Sequence, residues 1–182
     1  MPPKIKFTKE DIVNAALEIV IEEGFCLTAR KIAKKMDSST RPIYSNFDSL
    51  REIEKDVIKR SHEIFLSYLI KDENTKVKDM GVGYVKFARD YKNLFKIMFL
   101  ENKLNLEIKS MKNLPEESKL VIDIMKTVRE HEGKNIDEIN MLFFKRWIYV
   151  HGLAVLISSN QFKDTSDEFI NKIIDSYTDI DK

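Results

Sequence analysis

Helix-start signals recur along the whole chain, and they limit the fold more than any other feature. Thr8-x-x-Asp11, Ser49-x-x-Glu52 and Thr165-x-x-Glu168 have the form of a capping box, in which the side chains at both ends satisfy free amides of the first turn. Pro115 followed by Glu116 and Glu117 reads as a first turn whose acids complement the helix dipole. Asn135-x-x-Glu138 offers another start just after Gly133, a plausible helix stop. Between these points the apolar residues keep helical spacing: Ile12, Ala16, Ile19 and Val20 before Gly24; Ile53, Val57, Ile64 and Leu66 in a long helix reaching residue 70; Trp147, Val150, Ala154 and Ile157; and Phe169, Ile173 and Tyr177. No repeat, low-complexity tract or strong strand interrupts the pattern, so the expected fold class is all-α.

Composition agrees. With 43% apolar and 34% charged residues but only 5 Gly and 4 Pro in 182 residues, the chain has the core of a folded protein and few turn formers. Its one cysteine, Cys26, excludes an internal disulfide and fits a reducing, cytoplasmic setting; a small buried residue is its expected role. The amino terminus lacks the apolar segment of a signal peptide. The most membrane-like run, Trp147 to Ser158, is too short to span a bilayer, so no membrane partner is expected.

The pattern breaks at KKMDSSTRPIYSNF, Lys34 to Phe47. Thr28 is placed to cap a short helix ending near Met36, with Ile32, Ala33 and Met36 inward. Asp37 is one of the few residue types that tolerates the left-handed backbone of a tight turn. If Ser39 caps a second helix, Pro42 falls in its first turn, where the missing amide costs little; deep in a helix it would cost ~3 kcal/mol. Ile43 and Phe47 then anchor that helix, leaving Thr40, Arg41, Tyr44, Ser45 and Asn46 outward. Two short helices with a tight corner make a helix-turn-helix, whose second helix enters the DNA major groove. The charge is local: five basic side chains against Asp37 give residues 27–47 a charge of +4, on a chain whose total is +1. A basic end on an otherwise acidic protein suits an anionic partner.

These residues resemble the TetR family of bacterial transcriptional regulators. The resemblance covers residues 8–60: EEGF at Glu22–Phe25, the T-x-R-x-I-A pattern from Thr28 through Arg30, Ile32 and Ala33, and S-x-x-x-[LI]-Y-x-x-F at Ser39, Ile43, Tyr44 and Phe47. It departs from the family at Asp37-Ser38, where Gly-Val is usual, at Leu50, where a phosphate-binding lysine is common, and at the unusual Arg41-Pro42. The resemblance implies a three-helix DNA-binding head over residues 1–48, joined by a long helix to a larger effector-binding and dimerisation bundle over 49–182. It implies phosphate contacts from Thr28, Ser39 and Tyr44, and base contacts from Arg30, Thr40, Arg41, Ser45 and Asn46, with Lys4 and Lys6 as an amino-terminal arm.

For the larger region the resemblance implies an effector pocket and a homodimer formed by the last two helices. Phe87, Tyr91, Phe95, Phe99, Trp147 and His151 are the pocket candidates, for a small, apolar effector of unknown identity. Gly152, Val155, Phe169, Ile173 and Tyr177 are the interface candidates, and W-x-x-x-H-G-L-A from Trp147 is similar to a motif of one subgroup. The expected partners are thus double-stranded DNA, the effector and a second copy, with no cofactor. Enzyme motifs are incomplete: His62-Glu63 lacks the second histidine of a zinc protease, His131 has no companion ligand, and Gly81-x-Gly83 lacks the third glycine of a dinucleotide site. The function expected is a ligand-responsive regulator, a repressor, reading a near-palindromic operator. The alternative is a helical interaction or dimerisation protein without sequence-specific DNA binding.

Overall fold

A computed structural model of the protein describes residues 7–72, 75–101 and 136–178, with the backbone alone over 136–143 and 177–178. The described residues are helical, with no strand among them. In chain order the helices are α1 (Lys9–Glu23), α2 (Ala29–Lys35), α3 (Arg41–Asn46), α4 (Leu50–Leu69), α5 (Val77–Asp90), α6 (Lys92–Phe95) running into a π-helical turn (Lys96–Leu100), α7 (Ile136–Ser158) and α8 (Asp167–Thr178). They form two compact units, Met1–Ile64 and Phe65–Lys182, with the division inside α4.

In the first unit, α1 begins with the expected capping box: Thr8 Oγ1 accepts from the Asp11 amide at 3.1 Å, and the Asp11 carboxylate accepts from the Thr8 amide at 2.8 Å. A cap of this kind is worth about 1 kcal/mol. Gly24 ends the helix at φ 84°, a conformation that a side chain would resist. One face of α1 carries Ile12, Ala16, Ile19 and Val20 into a core shared with Leu27, Ile32, Ala33, Ile43, Phe47, Ile53 and Val57. Ser61, the buried polar side chain there, donates its hydroxyl to the Val57 carbonyl at 2.8 Å, which removes the penalty for an unsatisfied group. Arg60 of α4 pairs with Glu10 of α1 at 3.3 Å.

In the second unit, α5 packs against α7 and α8. Phe65, Leu69, Val85, Phe87, Leu94, Phe95, Ala154, Ile157 and Ile170 are almost fully buried; each large side chain among them contributes about 1.5–3 kcal/mol. Lys86 and Arg89 of α5 both pair with Asp167 in the first turn of α8, at 2.6 and 2.7 Å.

Several boundaries and registers differ from expectation. α8 is capped by Ser166, whose hydroxyl accepts from the Phe169 amide at 3.2 Å, one residue after the expected Thr165. The Glu52 carboxylate accepts from the Asp48 amide, before rather than at Ser49. In α8 the buried pair is Ile170 and Ile174, so Phe169 and Ile173 are only half-covered by their own chain. Cys26 is exposed rather than buried, because Leu27 takes the inward position beside it. Pro115 and Asn135 lie outside the described residues.

Candidate nucleic-acid interface

The corner between α2 and α3 is built by hydrogen bonds that the local sequence dictates. Thr28 caps α2, its Oγ1 accepting from the Lys31 amide at 3.2 Å and keeping its own proton free to donate. At the other end Asp37 is left-handed, φ 48°, while Ser38 N–H reaches back to the Ala33 carbonyl at 2.9 Å. That six-to-one bond closes α2 in the manner usual for a left-handed cap. The start of α3 falls one residue later than expected. Thr40 stands at the cap with helical dihedrals and no side-chain cap bond, and Ser39 Oγ accepts from the Arg41 amide at 3.4 Å. Pro42, with no amide, occupies the first turn, so the helix loses no bond there.

Ile43 and Phe47 point inward, 2% and 3% exposed. The opposite face presents Arg41, Tyr44 and Ser45 to solvent, beside exposed Ser39, with Thr40 half-buried. Tyr44 is 64% exposed, a large aromatic area for a side chain with no covering neighbour. Ser45 donates its hydroxyl to the Arg41 carbonyl at 2.9 Å. Asn46 is turned partly inward, its Nδ2 donating to the carbonyls of Pro42 at 2.8 Å and Phe7 at 3.4 Å.

The basic side chains divide into two sets. Lys31 pairs with Glu23 at 2.7 Å and donates to the Cys26 Sγ at 2.9 Å; Lys35 pairs with Glu22 at 2.8 Å and Glu18 at 3.2 Å. These partners raise both ammonium pKa values, through the Cys26 bond before the Glu23 bond at Lys31, and through Glu22 before Glu18 at Lys35. Arg30 and Arg41 are exposed and form no ion pair among the described residues, so their guanidinium forks are free. Arg30 and Lys31 are adjacent in α2 but differ in this respect. The partner that separates them, Glu23, lies on the preceding helix. Lys4 and Lys6 lie outside the described residues.

In the second unit Phe87 and Phe95 are fully buried core residues, while Tyr91, Phe99, Trp147 and His151 are half-buried. Trp147 stacks on His151 with ring centroids 5.0 Å apart at 18°, and Phe95 lies 5.7 Å from the same imidazole. Tyr84 and Phe65, absent from the candidates drawn from sequence, complete the cluster: their rings sit edge to face at 5.4 Å. The Tyr84 hydroxyl lies 2.9 Å from His151 Nδ1 and also bonds Trp147, whose indole can only donate. The phenol can give its proton to Nδ1 of the Nε2-protonated ring or accept from Nδ1 of the other tautomer, so the contact suits either neutral form. Burial pushes the Tyr84 phenol well above its ordinary range and the His151 imidazole below its own. A separate cleft of about 240 Å³ lies between α4 and α5, lined by Ser67, Tyr68, Lys71, Val82, Gly83 and Lys86, none of them an expected pocket residue.

On α7, Gly152 faces open space: a Cβ there would meet no atom within 4 Å. Phe144, Ile148 and Leu156, spaced at four-residue intervals about it, are 38%, 51% and 43% exposed. Val155, Phe169 and Ile173 are half-buried, and the Tyr177 side chain lies outside the described residues. Among the described residues no His, Cys, Asp and Glu cluster could hold a metal ion, and no helix is long and apolar enough to cross a membrane. Compared with known proteins, the chain matches no family model and no curated sequence.

Proposed function

We propose that this protein is a homodimeric, ligand-responsive transcriptional regulator of the TetR type, a repressor that reads a near-palindromic operator through the α2–α3 corner. The observation that carries the reading is the outer face of α3. Arg41 and Tyr44 stand exposed on a helix whose inner residues, Ile43 and Phe47, lock it to the core. Arg41 suits a guanine edge, and Thr28, Ser39 and Tyr44 suit phosphate oxygens. Dimerisation is supported by the open apolar face around Gly152, which the described residues leave uncovered. The aromatic cluster about Tyr84 and His151 supports a small, apolar effector with one polar group. Two reading helices would enter successive major grooves about 34–36 Å apart. An effector would release DNA only by preferring a state with a different spacing.

Fluorescence anisotropy on a duplex pool enriched for binding tests this. Binding to one sequence should weaken linearly with salt on a log–log plot and collapse for Arg41→Ala. Binding indifferent to sequence, or a clean monomer in sedimentation, would favour a helical interaction protein instead.

A further inference from the structure

Thr28, Ser39 and Ser45 are exposed at the α2–α3 corner, and their hydroxyl bonds within the chain run in opposite directions. Thr28 Oγ1 accepts from the Lys31 amide at 3.2 Å, and Ser39 Oγ accepts from the Arg41 amide at 3.4 Å. Each keeps its own proton to donate outward. Ser45 is the reverse, since its hydroxyl donates to the Arg41 carbonyl at 2.9 Å. A serine hydroxyl has one proton and two lone pairs, so Ser45 turns acceptor capacity alone toward solvent. Donating to the carbonyl also polarises the oxygen and makes it a better acceptor. Phosphate oxygens only accept, so they match the protons of Thr28 and Ser39 and not the lone pairs of Ser45. In the major groove the donors are the exocyclic amino groups, N6 of adenine and N4 of cytosine, while guanine and thymine offer acceptors.

We infer that Ser45 is a specificity-determining residue that accepts a hydrogen bond from the amino group of an adenine or a cytosine. The inference deepens the DNA-binding reading above and rests on it. Ser45 follows Arg41 by one helical turn, and both are exposed, so they lie together on the outer face of α3. Arg41 carries donors only and suits guanine; Ser45 presents lone pairs and suits the opposite kind of base edge. The bond to the Arg41 carbonyl gives this choice its sign. Accepting an amino proton leaves that bond intact, whereas donating to guanine O6, thymine O4 or a phosphate would break it. Thr28 and Ser39 meet phosphate with their internal bonds kept, and so fix register without reading sequence.

Fluorescence anisotropy on the full chain, with a duplex enriched from a random pool, tests this. Each adenine in turn is replaced by unsubstituted purine and each cytosine by pyrimidin-2-one, which lack the amino group. At one position in each half-site the replacement should weaken the parent by about 2- to 10-fold, the range for one hydrogen bond. Whichever analogue gives that loss names the base. In Ser45→Ala, with an unchanged far-UV spectrum, the loss at that position should vanish, while the other positions respond as in the parent. Thr28→Ala should instead weaken all these duplexes by the same factor. Ser45→Ala weakening every duplex by one factor would place Ser45 on a phosphate and overturn the inference. So would a parent indifferent to every amino group, or a loss that persists unchanged in Ser45→Ala. Both of those outcomes leave a sequence-specific parent and so spare the DNA-binding reading. A parent chain that prefers no sequence overturns that reading, and the inference with it.

Discussion

Gly83 of α5 lies so close to the backbone of α4 that a Cβ built on it would fall 1.9 Å from the Tyr68 carbonyl oxygen and 2.7 Å from its carbon. The obstacle is backbone and cannot rotate away. The helix-propensity cost of a mid-helix glycine, about 1 kcal/mol, is offset here by the close approach that lets Phe65 and Phe87 meet at 5.0 Å.

Gly83→Ala should therefore destabilise the protein by about 3 kcal/mol or more, beyond ordinary overpacking. In a chain of this size each 1 kcal/mol moves Tm by about 2–4 °C, so calorimetry should show a drop of roughly 6–12 °C. Gly81→Ala is the control. Its Cβ would meet Val150 Cγ2 at 3.4 Å, an ordinary contact, and the substitution should be neutral or stabilising by up to about 1 kcal/mol. Equal losses at both glycines would refute the packing argument.

Gly152→Ala has no neighbour to displace among the described residues. It should stabilise the isolated chain by up to about 1 kcal/mol yet weaken self-association, because the added methyl lies in the face proposed to meet a second copy. Ile148→Glu, at a 51% exposed position on that face, should give a monomer in sedimentation velocity with a near-native circular dichroism spectrum. A dimer that survives Ile148→Glu places the interface elsewhere.

The acids of α1 hold two cations away from any outside partner. Glu23 is held below its usual range first by the Lys31 hydrogen bond and then by that lysine's charge. Lys35 also pairs with Glu18, so changing Glu18, Glu22 and Glu23 to Gln should free both lysines of their ion pairs, raising affinity for random duplex several-fold at low salt, with the gain vanishing as salt rises. Stability should change little, since exposed pairs are worth about 0–1 kcal/mol. A gain that persists at high salt would point to a conformational cause.

The local signals were the legible part of this chain. Thr8 with Asp11 fixed a cap, Gly24 and Asp37 marked positive-φ stops, and the apolar stripes placed α1 and the start of α4, because each depends on residues within one or two turns; further along α4, Phe65 and Leu69 take the inward positions expected of Ile64 and Leu66. What escaped depends on partners far along the chain. Lys35 finds Glu22 thirteen residues away, Tyr84 finds His151 across sixty-seven, and Gly83 is required by a carbonyl on another helix. Cys26 went wrong for a related reason, since only the packed core shows that Leu27 takes the buried position. In α8 the apolar residues supply two overlapping stripes, Phe169–Ile173 and Ile170–Ile174. Periodicity alone does not say which one the chain itself buries.

His151 gives the second unit a pH dependence whose sign follows from its surroundings. The ring is flanked by Tyr84, Phe95, Phe99 and Trp147, of which Tyr84 is the titratable one. Burial holds the folded pKa below the ordinary value of 6.5. In the unfolded chain the same imidazole titrates near its ordinary value. Between the two values the unfolded chain binds more protons, so stability is complete above about pH 6.5 and declines as pH falls toward the folded pKa. His151→Gln should flatten Tm against pH between about 7 and 5, a window above the range where the carboxylates titrate. Trp147, the only tryptophan, stacks on this imidazole and reports its charge through fluorescence. Acid quenching should disappear in His151→Gln; quenching that persists there must arise from another group and would remove His151 as its source.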